Sequence, residues 1–315
     1  MLSYVVRRLL MAIPVLFFVS IIVFSLIHLL PGDPAISMLG EEARPELIQA
    51  LRKDLGLDQP LYQQYFSWLR KGLSGDMGRS IQTKQSVAKA LGQRLPVTIE
   101  LTFLAFVISI VISIPLAVGG ATRPNSWIDF LGSVFATIGI SMPSFWLGIL
   151  LIYLFAVTLH WLPASGYVPI HQGLLLNLKH MALPAITLGM WLSASVMRLV
   201  RSAMAEVLDQ DYIRTARSMG LPERFILWTL ALKNVLVPVV TILGLQIGRL
   251  MGGAVVTETI FALPGIGRLA VHSIFTRDYP PVQAVVLVMA ISVLLTSLIV
   301  DILYSFLNPR MRYGD

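Results

Sequence analysis

The residues best suited to chemistry lie at 72–75, where GLSG matches the GxSG pattern found around some nucleophilic serines. A serine nucleophile requires a base within hydrogen-bond reach, normally a histidine held on a neighbouring element. Ser74 instead lies in a polar stretch, and Asp76 follows it two residues later. We therefore interpret GLSG as a glycine turn, with a nucleophilic Ser74 as the alternative.

Other catalytic and cofactor motifs are absent from the sequence. None of the six lysines follows a glycine, which excludes a GxxxxGK phosphate loop, and HExxH, CxxC and GxSxG are missing as well. The chain has no cysteine, and its five histidines lack the spacing of metal ligands. We expect no catalytic residue, no metal site and no cofactor bound by this chain, so any chemical energy comes from a partner.

Polar side chains inside apolar stretches are the remaining candidates, because a charge within a membrane span costs roughly 2.5–3.5 kcal/mol on insertion scales. Arg249 lies far from both ends of its apolar stretch, and Gln246 precedes it by three residues on the same side of a helix. We expect both to face a water-filled pathway; the alternative is a structural cation paired with a neighbouring helix. Gly244, Gly248 and Gly252 form a separate small-residue face.

The chain as a whole has the composition of a membrane protein. Of its 315 residues, 56% are hydrophobic and 13% are charged, whereas soluble domains carry about 25% charged residues. A membrane-spanning helix needs about 20 apolar residues and satisfies its own backbone hydrogen bonds in lipid. We predict an all-α, polytopic membrane protein with six transmembrane helices, at 9–30, 98–120, 134–158, 180–200, 235–256 and 282–307.

The distribution of basic residues predicts the orientation of these helices. Eleven Lys and Arg residues lie on the side of the N-terminus in short connections and tails, against three on the other side. Because short cytoplasmic loops are enriched in Lys and Arg, both termini are expected in the cytoplasm. The net charge of +7 is thus a topology signal, and we expect no nucleic-acid partner.

Three parts of the chain follow from this topology. Residues 1–30 form the N-terminal cytoplasmic end and the first span, residues 31–97 a folded loop on the opposite side of the membrane, and residues 98–315 a core domain with five spans. The loop contains a helical apolar pattern from Leu61 to Leu69, which predicts a folded unit. Its role is either a lid on the outer ends of the spans or a docking surface for an extracytoplasmic partner.

A cytoplasmic segment at about 204–234 is longer than the two to eight residues that usually join bundle helices. Its centre, DYIRTARSMGLPERF at 211–225, predicts a short helix, a sharp bend at Gly220, and a second helix with Pro222 in its first turn. The helix lies flat on the inner leaflet, caps the bundle, or inserts into a groove of a partner. A narrow stripe runs along it: Leu208, Tyr212, Thr215 and Met219.

YIRTARSMG at 212–220, with NVLVPVV at 234–240, resembles the EAAxxxG motif of permease subunits in binding-protein-dependent ABC importers. Aligned on Gly220, the EAA positions hold Arg214, Thr215 and Ala216, as is usual in the dipeptide, oligopeptide, nickel and glutathione branch. The resemblance covers essentially the whole chain: PGDPA at 31–35, LGLDQPLYQQY at 55–65, GDMGRS at 75–80, WLPASGY at 161–167, TETIFALPGIGRL at 257–269, RDYPPVQ at 277–283 and DILYSFLNPRMRY at 301–313.

The resemblance implies a type I ABC importer permease fold in which the segment is a coupling helix seated in a cleft of an ATPase subunit. It implies a second, homologous permease subunit, two ATP-binding-cassette subunits that bind ATP and Mg, and a periplasmic or lipid-anchored substrate-binding protein. The residues expected to couple are Asp211, Tyr212, Arg214, Thr215, Ala216 and Gly220. Those expected in the pathway and gate are Met142, Pro143, Gln246, Arg249, Glu258, Pro264, Gly265 and Gly267.

The resemblance therefore implies import of a substrate across a bacterial inner membrane by alternating access, with the loop at 31–97 in the periplasm. Di- or oligopeptides are the first expectation, with nickel and glutathione as alternatives within the branch. Two functions of other classes remain open: an ion-driven secondary transporter, and a membrane-embedded hydrolase that uses Ser74.

Overall fold

The structure is a computed structural model that describes residues 2–29, 36 and 44–307. These residues form helices joined by loops, without a named strand, so the predicted all-α class is confirmed. The α-helices are α1 Leu2–Leu29, α2 Pro45–Leu55, α3 Leu61–Leu73, α4 Val87–Thr122, α5 Trp127–Ser141, α6 Ser144–Leu151, α7 Leu174–Leu208, α8 Asp211–Ser218, α9 Glu223–Phe225, α10 Leu232–Ile260, α11 Ile266–Phe275 and α12 Tyr279–Leu307. Two π-helical segments, Ile152–Thr158 and Ile226–Ala231, continue α6 and α9.

Four helices in the described part of the chain are long and apolar enough to cross a membrane: Val6–Ser25, Val87–Thr122, Leu174–Leu208 and Tyr279–Val300. A bent helix pair gives a fifth span if it counts as one. The predicted span at 235–256 falls within α10. A multi-pass membrane protein is therefore established, and the total of six spans stays a prediction.

The predicted third span, 134–158, is two helices instead of one kinked helix. After α5, the chain continues at Ser144 into α6 and its π-helical extension, at an angle of 107°. Met142 and Pro143 connect the two pieces in extended conformations. Pro143 is the N-cap residue of α6, where its missing N–H costs nothing, so the chain turns far more than an internal proline kink allows.

The chain divides into two compact units. The first contains Thr98–Pro264 and the chain from Leu295, and the second contains Leu2–Val97 and Gly265–Leu294.

Helix α7 forms the centre of the first unit, where it packs against α5, α6 and α10. A Cβ atom built on Gly189 of α7 would lie 2.8 Å from the carbonyl oxygen of Ala105 in α4. Only glycine permits this approach of the two backbones, and small residues at such crossings are how helices pack in lipid, where hydrophobic attraction between helices is weak.

In the second unit, part of the outer loop is folded onto α1. The hydroxyl groups of Tyr65 in α3 and Ser20 in α1 are 2.8 Å apart and both residues are buried. The apolar pattern predicted for 61–69 is only partly covered, because Leu61, Tyr62 and Phe66 are exposed. The buried carboxylate of Asp278 accepts hydrogen bonds from Ser80 Oγ at 2.5 Å and from the Ile81 backbone N–H at 2.7 Å.

Candidate coupling helix and pathway residues

Helix α8 is a short helix with defined ends. Asp211 lies in its first turn and Arg217 in its last, where each charge complements the helix dipole. Gly220 follows with φ of +73°, a left-handed conformation that glycine adopts without steric cost. The predicted stop at Gly220 is therefore confirmed. Pro222 is the N-cap residue of α9, one position before the first turn in which we predicted it.

One side of α8 is buried against its own chain and the other is exposed. Ile213 is fully buried and Ala216 is 6% exposed. Three members of the predicted stripe lie outside: Tyr212 is 42% exposed, Met219 is 73% exposed, and Thr215 is exposed as well. Of the predicted coupling residues, Ala216 therefore packs inward, and the stripe of Tyr212, Thr215 and Met219 faces outward.

Side-chain hydrogen bonds connect α8 to the segments that follow it. Asn234 of α10 donates from Nδ2 to the Tyr212 hydroxyl group at 2.8 Å. Arg217 donates from Nε to Glu223 Oε1 at 2.7 Å, across the bend at Gly220. The contact between Arg214 and Asp211 is longer, at 3.8 Å, and both side chains are exposed. Because exposed ion pairs contribute little stability, the buried side of α8 is its main anchor.

The bend leads into an unbroken helical stretch. Helix α9 passes through the π-helical segment Ile226–Ala231 into α10, which ends at Ile260. Ile226 and Ala231 are both fully buried at the two ends of the π-helical segment. The segment after the bend is thus continuous with the start of a long helix.

Two of the predicted pathway residues lie in α10. Gln246 is 8% exposed, and its Oε1 atom has no hydrogen-bond partner among the described residues. The Arg249 side chain lies outside the described residues. On the predicted glycine face, Gly244 packs so closely against Val300 of α12 that a Cβ atom would overlap its side chain, whereas a Cβ atom on Gly252 would meet no atom within 4 Å. Of these two glycines, only Gly244 is required by close packing.

Glu258 is also in α10 and is fully buried. Its Oε1 atom accepts a hydrogen bond from Thr98 Oγ1 of α4 at 2.5 Å. One helix turn further along α4, Thr102 Oγ1 lies 3.8 Å from the sulfur atom of Met251. Side chains thus connect α4 with the C-terminal half of α10.

The other predicted pathway residues lie at element ends. Met142 lines a small cavity of about 100 Å³ together with Met190 and Trp191 of α7. Pro143 is exposed. Pro264 is half-buried and belongs to the first unit. Gly265 belongs to the second unit and is the N-cap residue of α11. Gly267 lies in the first turn of α11.

An ion pair that the sequence did not reveal joins α5 and α7. Arg201 donates from Nε and Nη2 to the two carboxylate oxygens of Asp129, at 2.6 and 2.8 Å. The backbone N–H of Asn125 donates to the same carboxylate. Asp129 stands three residues after Ser126, a spacing that indicates a helix start, but Arg201 is 72 residues away. No sequence pattern pairs these two residues.

A hydrogen-bonded cluster around Glu100 fixes the loop between α6 and α7. The Tyr167 hydroxyl group donates to Glu100 Oε2 at 2.8 Å, and Asn177 Nδ2 donates to Glu100 Oε1 at 2.7 Å. Burial, with the adjacent Glu100 carboxylate, raises the pKa of Tyr167 to about 12. Tyr167 thus stays protonated and remains a hydrogen-bond donor at neutral pH.

Ser74, the candidate nucleophile, lies at the C-terminal end of α3. Its hydroxyl group donates to the Lys71 carbonyl oxygen at 2.8 Å, and its backbone N–H bonds to the same turn. This arrangement closes a helix end, as the glycine-turn interpretation predicted.

Comparison with known proteins gives consistent matches along the chain. Residues 109–313 match the family described as binding-protein-dependent transport system inner membrane component, and residues 1–102 match its N-terminal region family. A putative peptide transport system permease protein of Brucella abortus is 46% identical over 99% of this chain and 100% of its own length. A dipeptide transport system permease protein of Alkalihalophilus pseudofirmus and a glutathione transport system permease protein of Escherichia coli are each 41% identical, with the same coverage.

Solved structures have the same fold. A chain of the inward-facing MetNI methionine ABC transporter matches with a TM-score of 0.57 and 18% identity, over 70% of this chain and 96% of that chain. A chain of an amino acid ABC transporter matches with a TM-score of 0.53 and 17% identity, over 69% and 93%.

Proposed function

Because the chain belongs to the family of binding-protein-dependent transport system inner membrane components, we propose that it passes di- or oligopeptides through the membrane as one subunit of an ATP-driven importer. Membership makes the chain a multi-pass inner-membrane permease of an ABC importer, with ATPase and substrate-binding partners. The finer assignments below are proposals, each with the observation that supports it.

Helix α8 is the coupling helix. The observation that carries this proposal is the exposure of Tyr212 and Met219 on a helix whose other side is fixed by buried Ile213. Met219 is 73% exposed on a helix that is anchored on its other side. Because methionine side chains adapt to the shape of a partner, Met219 suits a contact with a groove of an ATPase subunit. Asp211, Arg214 and Thr215 contribute its polar contacts, and Ala216 and Gly220 fix its position and its end.

The energy for transport comes from the partners. We propose a second homologous permease subunit, two ATPase subunits that bind ATP and Mg, and a periplasmic or lipid-anchored binding protein. The chain itself has no phosphate-binding loop and is no enzyme. In this assembly both termini and α8 lie in the cytoplasm and residues 31–97 lie in the periplasm.

The substrate route passes the side of α10 that contains Gln246. Among the described residues, the buried Oε1 atom of Gln246 has no hydrogen-bond partner, which costs about 1–3 kcal/mol. Water or substrate that enters in another conformation would supply the missing partner, and this supports a route beside Gln246. The three-residue spacing from Gln246 predicts that Arg249 shares this side of α10. The remaining residues proposed for the pathway and gate are Met142, Pro143, Glu258, Pro264, Gly265 and Gly267.

Peptides are the proposed substrate because the relatives at 46% identity are named for peptide transport. Glutathione, itself a tripeptide, is the second candidate, since relatives at 41% identity are named for its transport. The test is ATP-dependent uptake by the complete importer in proteoliposomes, with labelled dipeptides, oligopeptides or glutathione in parallel. Uptake of peptides above that of glutathione supports the proposal, and uptake of neither class contradicts it.

A further inference from the structure

A groove in the second unit has no role in the proposed function. It lies between α1, α3 and α12 and has a volume of about 360 Å³. Its walls are almost entirely apolar, with Phe17, Trp68, Leu73, Leu287, Val288 and Ile291 among the lining residues. A volume in this range is typical of small-molecule sites.

Two of the walls are membrane spans with little protein around them. Only 11% of Val6–Ser25 and 17% of Tyr279–Val300 is buried, whereas 67% of the corresponding stretch of α7 is buried. The groove therefore opens on the apolar surface of two candidate spans, where a lipid chain or another transmembrane helix is the available occupant.

Size separates these two occupants. A helix with side chains is about 10 Å wide, so 10 Å of its length fills roughly 800 Å³. The groove is too small to enclose a helix, which would lie across its opening. A flexible hydrocarbon chain is narrow enough to enter it.

Two polar side chains that line the groove, Ser20 and Gln283, form hydrogen bonds within the chain. Ser20 Oγ donates to the Phe17 carbonyl oxygen at 2.7 Å and lies next to the Tyr65 hydroxyl group. Gln283 Nε2 points to the Val23 carbonyl oxygen at 3.4 Å. Both side chains are thus occupied by their own chain.

The charged group lies where the groove meets the end of α3. Asp76 is exposed, and its Oδ1 atom accepts the Gly78 backbone N–H at 3.0 Å. A carboxylate at this end attracts a cationic headgroup and repels an anionic one.

We propose that the groove is a phospholipid site, which holds one acyl chain between α1 and α12 and a headgroup with a primary ammonium group beside Asp76. This lipid site does not depend on which substrate the importer transports.

The test uses the full chain, purified with its partners and stripped of weakly held lipid. Phosphatidylethanolamine or phosphatidylglycerol with identical acyl chains is added, and native mass spectrometry counts the lipids retained. Ile291→Trp fills the groove, and Val293→Trp is the matched control, because Ile291 and Val293 are 41% and 42% exposed and only Ile291 lines the groove. Asp76→Asn removes the charge while the apolar walls stay intact.

We expect the wild-type chain and Val293→Trp to retain one phosphatidylethanolamine, at least fivefold in preference to phosphatidylglycerol. Ile291→Trp should lose this lipid, and Asp76→Asn should retain a lipid without the preference. Equal retention by Ile291→Trp and Val293→Trp would overturn the site, as would a preference unchanged by Asp76→Asn.

A protein occupant is detected separately. Because the native chain has no cysteine, Ile291→Cys provides a single attachment point for a short cross-linker. The lipid site predicts no cross-link to a cysteine introduced in a partner helix, and efficient cross-linking to a partner subunit would overturn it.

Discussion

Gly220 is the residue on which the geometry of the coupling segment depends most. Its φ of +73° ends α8 and directs the chain toward Pro222. A Cβ atom at this position would meet no atom within 4 Å, so the requirement for glycine is conformational and does not arise from crowding.

Two substitutions at Gly220 test whether the backbone conformation is the reason for glycine. Left-handed backbone costs about 1–2 kcal/mol for most L-residues, is least costly for asparagine and is worst for β-branched residues. We expect Gly220→Val to abolish ATP-driven uptake with normal membrane insertion, and Gly220→Asn to retain a substantial fraction of it. Uptake by proteoliposomes measures both.

The control is Gly92→Val, since Gly92 in α4 also has open space around it but no positive φ. It should transport like the wild-type protein. Normal uptake by Gly220→Val would remove Gly220 from the coupling assignment.

Residue-level prediction succeeded where one residue type determines the local backbone. Gly220 was predictable because few other residues adopt its conformation. Ala216 was not, because alanine suits both an exposed and a buried helix side, and only the neighbouring helices decide between them. The inward position of Ala216 and the outward position of Thr215 are therefore results of tertiary packing.

Among the helices, the pair of Asp129 and Arg201 joins the first turn of α5 to the C-terminal part of α7. Its two charge-assisted hydrogen bonds are short and parallel, and Asp129 is buried. Bidentate pairs of this kind hold two helices in one register.

We expect Asp129→Ala to lower the free energy of unfolding by about 1–3 kcal/mol, since it leaves the Arg201 guanidinium without its acceptor. The value is below that of a fully buried pair because the Arg201 side chain is 36% exposed. The thermal midpoint in detergent, followed by tryptophan fluorescence, measures the change.

Asp209→Ala, at an exposed carboxylate, is the matched control and should leave the midpoint unchanged. The double variant Asp129→Ala/Arg201→Ala should lose less than the two single losses combined. Strict additivity would show that the two side chains do not interact.

Prediction of elements was limited by the break between α5 and α6. The proline at 143 indicated an interruption, but a kinked span and two helices at 107° have the same local sequence signal. Apolar residues continue on both sides of the break, so hydropathy gives no warning. Helices without such a break, α4 and α7, contain the predicted spans 98–120 and 180–200.

At the scale of the whole molecule, the proposal requires that transport depends on ATP hydrolysed by other subunits. We expect uptake in membrane vesicles to cease on ATP depletion and to persist with an uncoupler. Uptake that survives ATP depletion and collapses with the uncoupler would support an ion-driven transporter instead.

The purified chain alone should neither hydrolyse ATP nor accumulate peptide.

Ser74→Ala separates the remaining class of function, since a permease retains its uptake and a hydrolase that uses Ser74 loses its activity. Loss of activity in Ser74→Ala, with normal insertion, would contradict the permease proposal.

If α8 is the coupling helix, its exposed side becomes inaccessible when the ATPase subunits bind. In a chain without cysteines, Met219→Cys and Ala205→Cys each place one thiol at an exposed position, the first on the proposed contact side and the second on α7. Maleimide labelling is measured on the chain alone and on the complex. The account predicts strong protection of Met219→Cys and none of Ala205→Cys, and equal labelling of Met219→Cys in both states would contradict it.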